Sequence, residues 1–306
     1  MHEPHPIPTT ESAAARWAPL ARFIEIEARI GRRAEQGRAS AFAYELLRFG
    51  LKQAWACLFG AAMVALLAGT ARWYPREAAL ARYDFLFLAA VAIQAAMLIL
   101  RLETIEEAKV ILIFHVIGTI MEVFKTATGS WIYPEAAFFR IAGVPLFSGF
   151  MYASIGSYIA RVWRLCELRF THHPPMWSVY LLALAIYLNF YSDHYFVDFR
   201  WPLFAAAALL FGRTWIHYRV WHVYRRMPLL LACFLNASFV WLAENIGTIT
   251  RTWLYPHQGA TWSMVYVSKL GSWFLLLIIS YALVAAVNRP EPMPDDRAPP
   301  LKRPVP

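Results

Sequence analysis

Charge is scarce in this sequence, and cysteine is scarcer. Only 16% of its 306 residues are Asp, Glu, Lys or Arg, while 59% are hydrophobic; soluble domains carry about 25% charged residues. That shortage excludes an ordinary water-facing surface and makes lipid the solvent for much of the chain. The three cysteines, Cys57, Cys166 and Cys233, are far apart and form no CxxC pair, which excludes a disulfide framework and a structural zinc site. There is no glycine-rich phosphate loop, no GxSxG and no HExxH, so nothing points to a nucleotide site, a serine hydrolase or a zinc protease. No short apolar stretch precedes a cleavage site near the start, and no signal peptide is expected. No cofactor and no metal are called for.

What is present is long apolar runs. A membrane-crossing helix needs about 20 mainly apolar residues. Eight segments qualify: 52–71, 84–101, 108–126, 137–160, 176–192, 201–217, 228–246 and 263–287. The sequence therefore predicts an all-α membrane protein of about eight transmembrane helices. Residues 1–40 form a cytoplasmic segment whose stretch 13–38 reads as an amphipathic helix: Trp17, Leu20, Phe23, Ile24 and Ile30 recur among arginines. Such a helix lies on an anionic membrane surface or packs on the protein's own loops. Residues 41–288 are the membrane domain, and 289–306 read as a disordered proline-rich tail.

The net charge of +9 follows the positive-inside rule better than it suits nucleic acid. With both termini in the cytoplasm, most of the 29 Lys and Arg residues fall on that side. Trp73, Trp131, Trp201, Trp253 and Trp262 then mark the outer boundary. Trp163, Trp177, Trp215 and Trp221 mark the inner one. Membrane lipids are the expected partners.

The most specific signal is a repeat. MEVFKTATGSWIYP at 121–134 and AENIGTITRTWLYP at 243–256 share the pattern E-x3-T-x-T-x2-W-x-Y-P. It pairs Glu122 with Glu244, Thr126 with Thr248, Thr128 with Thr250, Trp131 with Trp253, Tyr133 with Tyr255 and Pro134 with Pro256. A gapped alignment adds Asp84 opposite Asp198. The reading is a four-plus-four parallel duplication, with halves about 41–165 and 166–288, related by an axis along the membrane normal.

Ionisable groups inside a membrane are costly and are functional candidates by default. Glu122 and Glu244 come first, as proton-handling carboxylates or as members of structural ion pairs. Lys125, three residues from Glu122, shares its helix face. The second copy has Gly247 there, but Lys269 in the last segment is placed to reach Glu244. His115, two turns before Glu122, is either a relay member or a helix–helix partner. These five are the candidate catalytic residues. Thr126, Thr128, Trp131, Tyr133, Thr248, Thr250, Trp253 and Tyr255 are candidate substrate contacts. Blander roles are helix-end hydrogen bonds for the threonines and interfacial anchoring for the aromatics. His172, His173, His217 and His222 gather at the cytoplasmic ends without metal-ligand spacing. Asp193, His194, Asp198 and Arg200 form a polar outer loop, solvated or covering the site.

The stretches MEVFKTATGSWIYPE and LAENIGTITRTWLYPHQ resemble the signatures of an uncharacterised bacterial membrane family, domain of unknown function 817, over about residues 40–288. That resemblance implies an inner-membrane location and no established activity. A shorter stretch is similar to the small membrane carotenoid hydratases and cyclases: Glu122, Thr128-Gly129, Tyr133-Pro134 and Gly143-Val144-Pro145-Leu146. In the cyclases an acidic residue closely follows that proline; here Leu146 and Phe147 follow it. Three functions stay open. One is a membrane-embedded enzyme acting on an isoprenoid or lipid by carboxylate acid/base chemistry, with a hydrophobic substrate. The others are a proton-coupled small-solute transporter and an accessory membrane subunit.

Overall fold

The computed structural model describes residues 29–34, 37–75, 77–192, 195–259 and 261–293. Most of the expected 13–38 helix, Asp193, His194 and the tail from 294 onward lie outside the described residues. The chain divides into two compact units, residues 1–51 and 52–306. In the first, a helical turn at 29–34 is covered by the buried ring of Tyr44, and Ser40 donates to the Ala34 carbonyl at 2.8 Å.

The remaining order is helical with two small sheets. Helix α1 is Arg38–Ala56, α2 Leu58–Trp73, α3 Arg82–Ile99 and α4 Ile105–Ala127. The hairpin β1 (Arg140–Ile141) and β2 (Val144–Pro145) precedes α5, Phe147–Leu165. Strand β3 (Arg169–Thr171) leads to α6, Met176–Ser192, and α7, Arg200–Phe211. Strands β4 (Trp215–Arg219) and β5 (Tyr224–Pro228) precede α8, Leu229–Ile249. A short 3₁₀ turn at Pro256–Gln258 comes before α9, Ser268–Val287. Four helices, α3, α4, α8 and α9, are long and apolar enough to cross a membrane, or five spans if the bent pair α1–α2 is one. Helices α6 and α7 are apolar but shorter.

Several expected spans are shortened: within 52–71 helix α2 starts only at Leu58, within 263–287 helix α9 starts only at Ser268, and two others give way in part to strand. The segment 137–160 begins as the β1–β2 hairpin, because Gly143 takes φ +86° and turns the chain before Phe147. The segment 201–217 stops at Phe211. Beyond Gly212 and Arg213, aromatic and β-branched residues dominate, and β4 pairs with both β3 and β5. The tail departs earlier than expected from disorder: Phe170 exchanges backbone hydrogen bonds with Glu291 and Met293 at 2.9 Å, and Arg169 pairs with Glu291.

Helix α9 is the hub. Leu275, Leu277, Ile278, Tyr281, Val284 and Ala285 are buried in one cluster with residues of α4 to α8. Burial there removes apolar surface at about 25 cal/mol per Å² where water is the reference solvent. The α4–α5 pair approaches closely because small residues lie between them: a Cβ at Gly118 would sit 2.7 Å from Tyr152. The start of α4 is fixed by a capping box between Thr104 and Glu107. Because α8 runs from β5 to the second motif over 21 residues, the sheet and the motif loops are about 30 Å apart at 1.5 Å per residue.

Candidate functional site

Both motif copies end their helix in the same way. Thr128 closes α4 and Thr250 closes α8, each hydroxyl donating back to a carbonyl three residues earlier, at 3.1 and 2.9 Å. The next residue is left-handed in each, Gly129 at φ +72° and Arg251 at φ +53°. Ser130 N–H then returns to Lys125 O at 2.9 Å, and Thr252 N–H to Gly247 O at 3.0 Å. Each is a Schellman ending, and it turns the Trp-x-Tyr-Pro strand back across the helix.

The two strands meet. Ile132 and Leu254 exchange N–H to carbonyl bonds at 2.9 and 3.0 Å, an isolated antiparallel bridge. On either side the tryptophans cross over. Trp131 packs with Tyr255, Val265, Phe190 and Trp241. Trp253 packs with Leu67, Tyr83, Leu86 and Phe147. Tyr83 also donates its hydroxyl to the Thr252 carbonyl at 2.7 Å.

Glu122 and Glu244 flank this bridge, and both are buried. Glu122 accepts from Trp131 Nε1 at 2.7 Å, Tyr133 Oη at 2.7 Å and Tyr152 Oη at 2.8 Å. Glu244 accepts from Tyr255 Oη and from Trp273 Nε1, the latter at 2.5 Å. The motif tyrosine thus serves its own glutamate in both copies. The tryptophan does so only in the first. In the second, Gly247 replaces Lys125 and leaves room for the Trp253 ring to lie against α8, and Trp273 of α9 supplies the indole donor instead. The charges of the two carboxylates reach each other, and that of Lys269 reaches Glu244. These converging donors satisfy the buried carboxylate oxygens, which would otherwise be costly to bury.

The lysines sit on aromatic faces. Lys125 Nζ is 4.3 Å from the Phe190 ring centre. Lys269 Nζ is 4.8 Å from Tyr255 and 5.5 Å from Trp131. Both line a cavity of about 190 Å³ between the first motif loop, α6, α7 and α9, together with Trp131, Phe190 and Arg200. Neither glutamate lines it; Trp131 stands between Glu122 and the cavity.

Other expected residues lie elsewhere. His115 packs on Phe150, ring centres 4.5 Å apart, and its buried Nδ1 has no hydrogen-bond partner. Thr126 Oγ1 is buried without a partner, while Thr248 accepts from Trp262 Nε1 at 3.1 Å. Trp131, expected at the interface, turns inward because Glu122 offers its indole a buried acceptor. Three of the four histidines have separate side-chain partners, and the His172 carbonyl accepts from Thr214 at 3.0 Å. His173 bonds Tyr281 at 2.6 Å, His217 bonds Thr171 at 3.2 Å, and His222 stacks on Trp221. Burial pushes the imidazoles of His173 and His217 down, with Arg226 adding to the effect at His217. Among the described residues no three His, Cys, Asp or Glu gather as a metal site.

Sequence reasoning missed a second buried polar centre. Arg161 and Glu103, both with fully buried side chains, pair at 2.5 Å. Ser157 and Gln94 also donate to Glu103, and Arg161 reaches the Trp55 carbonyl at 3.1 Å. Arg164 pairs with Glu107 at 2.9 Å. Glu103 and Glu107, four apart, and Arg161 and Arg164, three apart, were the available signal, since those are the spacings that put two side chains on one helix face; counting the arginines as loop charge hid it.

A family model described as "Protein of unknown function (DUF817)" matches residues 45–281. The chain belongs to the DUF817 family. "Uncharacterized protein YoaT" of Bacillus subtilis (strain 168) is 44% identical over 245 residues, covering 80% of this chain and 92% of that protein. No solved structure matches. The similarity to carotenoid hydratases and cyclases is not supported by these matches. The bridge, both glutamates and the cavity all fall inside the DUF817 region.

Proposed function

We propose that this DUF817 chain is a bacterial inner-membrane carrier of a small solute, coupled to protons through Glu122 and Glu244. Helices α2 to α9 are its eight spans, arranged as two four-helix halves of like orientation with both termini cytoplasmic. The shared Schellman endings and the reciprocal bridge support the duplication. Membrane lipids surround it. The observation that carries the reading is Trp131, which lines the cavity and donates to Glu122 at 2.7 Å. Protonating Glu122 weakens that acceptor and loosens one wall of the cavity, so proton binding and solute binding are linked. Thr126, Thr128, Tyr133, Thr248, Thr250, Trp253 and Tyr255 hold the frame rather than the solute. His115 is a helix–helix packing residue.

A second reading is an enzyme acting on an isoprenoid or other lipid, with Glu122 or Glu244 as acid. The apolar part of the cavity wall, Ile186, Leu275 and Leu276, favours it by fitting a hydrocarbon chain. Untargeted mass spectrometry of cells, lipid extracts and medium separates the two, comparing wild type, deletion, Glu122→Gln and Glu244→Gln strains. A species redistributed between cell and medium, with lipids unchanged, supports carriage. A lipid precursor that accumulates while its product is lost supports the enzyme. Identical profiles in all strains overturn both.

A further inference from the structure

We propose that the cavity beside the bridged motifs is a binding site for a phosphate-class oxyanion, carried on a lipid headgroup or as a free ion. This deepens the carrier reading and rests on it for the site's place in the molecule.

Three cations from three helices line the cavity: Lys125 of α4, Arg200 of α7 and Lys269 of α9, with no carboxylate among the lining residues. A cleft lined by one sign of charge in low-dielectric surroundings focuses its field on the opposite charge. Ser130, Ser268 and Ser272 add hydroxyl donors on the same walls. Cations with short hydroxyl donors suit an anion with several oxygens better than a carboxylate with two. The cations are held in place. Phe190 supports Lys125, Trp131 and Tyr255 support Lys269, and Asp198 binds Arg200 at 2.8 Å. The Asp198 pair engages one edge of a five-donor guanidinium. Lys125 is 3% exposed and stands on the cavity wall, where low-dielectric surroundings strengthen its field. The repeat points the same way. Gly247 stands where Lys125 stands, so the second copy has no cation there, and only one side of the bridge is built for an anion.

The test uses the full chain purified in phosphate-free detergent. One arm titrates inorganic phosphate against chloride at constant ionic strength and reads thermal unfolding. The other compares mixed micelles of phosphatidylglycerol with those of phosphatidylcholine. Saturable stabilisation by phosphate identifies a free-ion site. Stabilisation by phosphatidylglycerol alone identifies a headgroup site. In either case Lys269→Gln and Arg200→Gln are expected to weaken binding at least about tenfold, and Lys269→Arg to keep it. Ser272→Phe, which fills the cavity without removing charge, is the second route should the Gln variants misfold. Stabilisation in neither arm, or equal binding by wild type and every variant, overturns the proposal. That result leaves the glutamate comparison standing, because neither Glu122 nor Glu244 lines the cavity.

Discussion

Replacing Glu103 by Gln should unfold the protein at much lower temperature, although position 103 lies far from the motif bridge. The Arg161 guanidinium has a fully buried side chain, and Glu103 is the carboxylate that pairs with it, at 2.5 Å. Gln keeps the shape and removes the compensating charge. Breaking a buried pair from one side costs about 3–5 kcal/mol. For a domain of this size each kcal/mol shifts the midpoint by roughly 2–4 °C, so the expected loss is about 6–20 °C. Arg161→Met should cost as much, because it leaves Glu103 charged and buried. The double variant Glu103→Met/Arg161→Met removes both charges. It leaves Gln94 and the Trp55 carbonyl to find partners, while Ser157 turns back onto its own helix. It should therefore be more stable than either single variant, since apolar pairs often replace buried ion pairs without loss. The assay is thermal unfolding in detergent, followed by tryptophan fluorescence. A Glu103→Gln midpoint within about 2 °C of wild type, or a double variant that loses the sum of the singles, would refute the argument.

At Glu122, substitution by Ala strands three buried donors. The expected cost is about 3–9 kcal/mol at roughly 1–3 per orphaned group, and Gln should cost visibly less by the same unfolding assay; equal losses would contradict the bonding described. Arg251→Gly should stabilise by about 1 kcal/mol, because φ +53° strains a residue with a Cβ; Gly129→Ala should destabilise comparably, and a destabilised Arg251→Gly or a stabilised Gly129→Ala would break the equivalence of the two turns. Burial holds the His173 imidazole below its ordinary value. The unfolded chain therefore takes up the proton first as pH falls below about 6.5, and stability declines with acidification. His173→Gln should flatten that decline between pH 7.5 and 5.5 in unfolding temperature, and an unchanged slope counts against it. A Cβ at Gly118 collides with Tyr152, so Gly118→Ala should cost about 1–3 kcal/mol, partly relieved in the Tyr152→Ala background.

The long helices α3, α4, α8 and α9 were legible because each is one long apolar run, of the length a membrane crossing requires. Glu122 and Glu244 stood out for the same reason: a carboxylate inside such a run is conspicuous. Their partners were less visible. Trp131 carries the composition of an interfacial anchor, and only the turn after Thr128 decides that its ring points inward. Arg200 was read as loop charge, since nothing local reveals that α7 brings it beside Lys125 and Lys269. Residues 212–217 misled because Trp215 and Ile216 are apolar enough to prolong a helix on paper. The pairing of β4 with β3, over forty residues away, settles their fate.

The bridge between Ile132 and Leu254 joins equivalent positions of two like loops, so the contact is self-complementary. An interface of that kind closes on itself as readily between two chains as within one. A shorter polypeptide carrying a single loop could seal its exposed tryptophan against a second copy by the same exchange. Severing this chain between α5 and α6 should then leave two pieces that reassemble when coexpressed, and pieces that never co-purify would show that the covalent link, not the crossed tryptophans, holds the halves together.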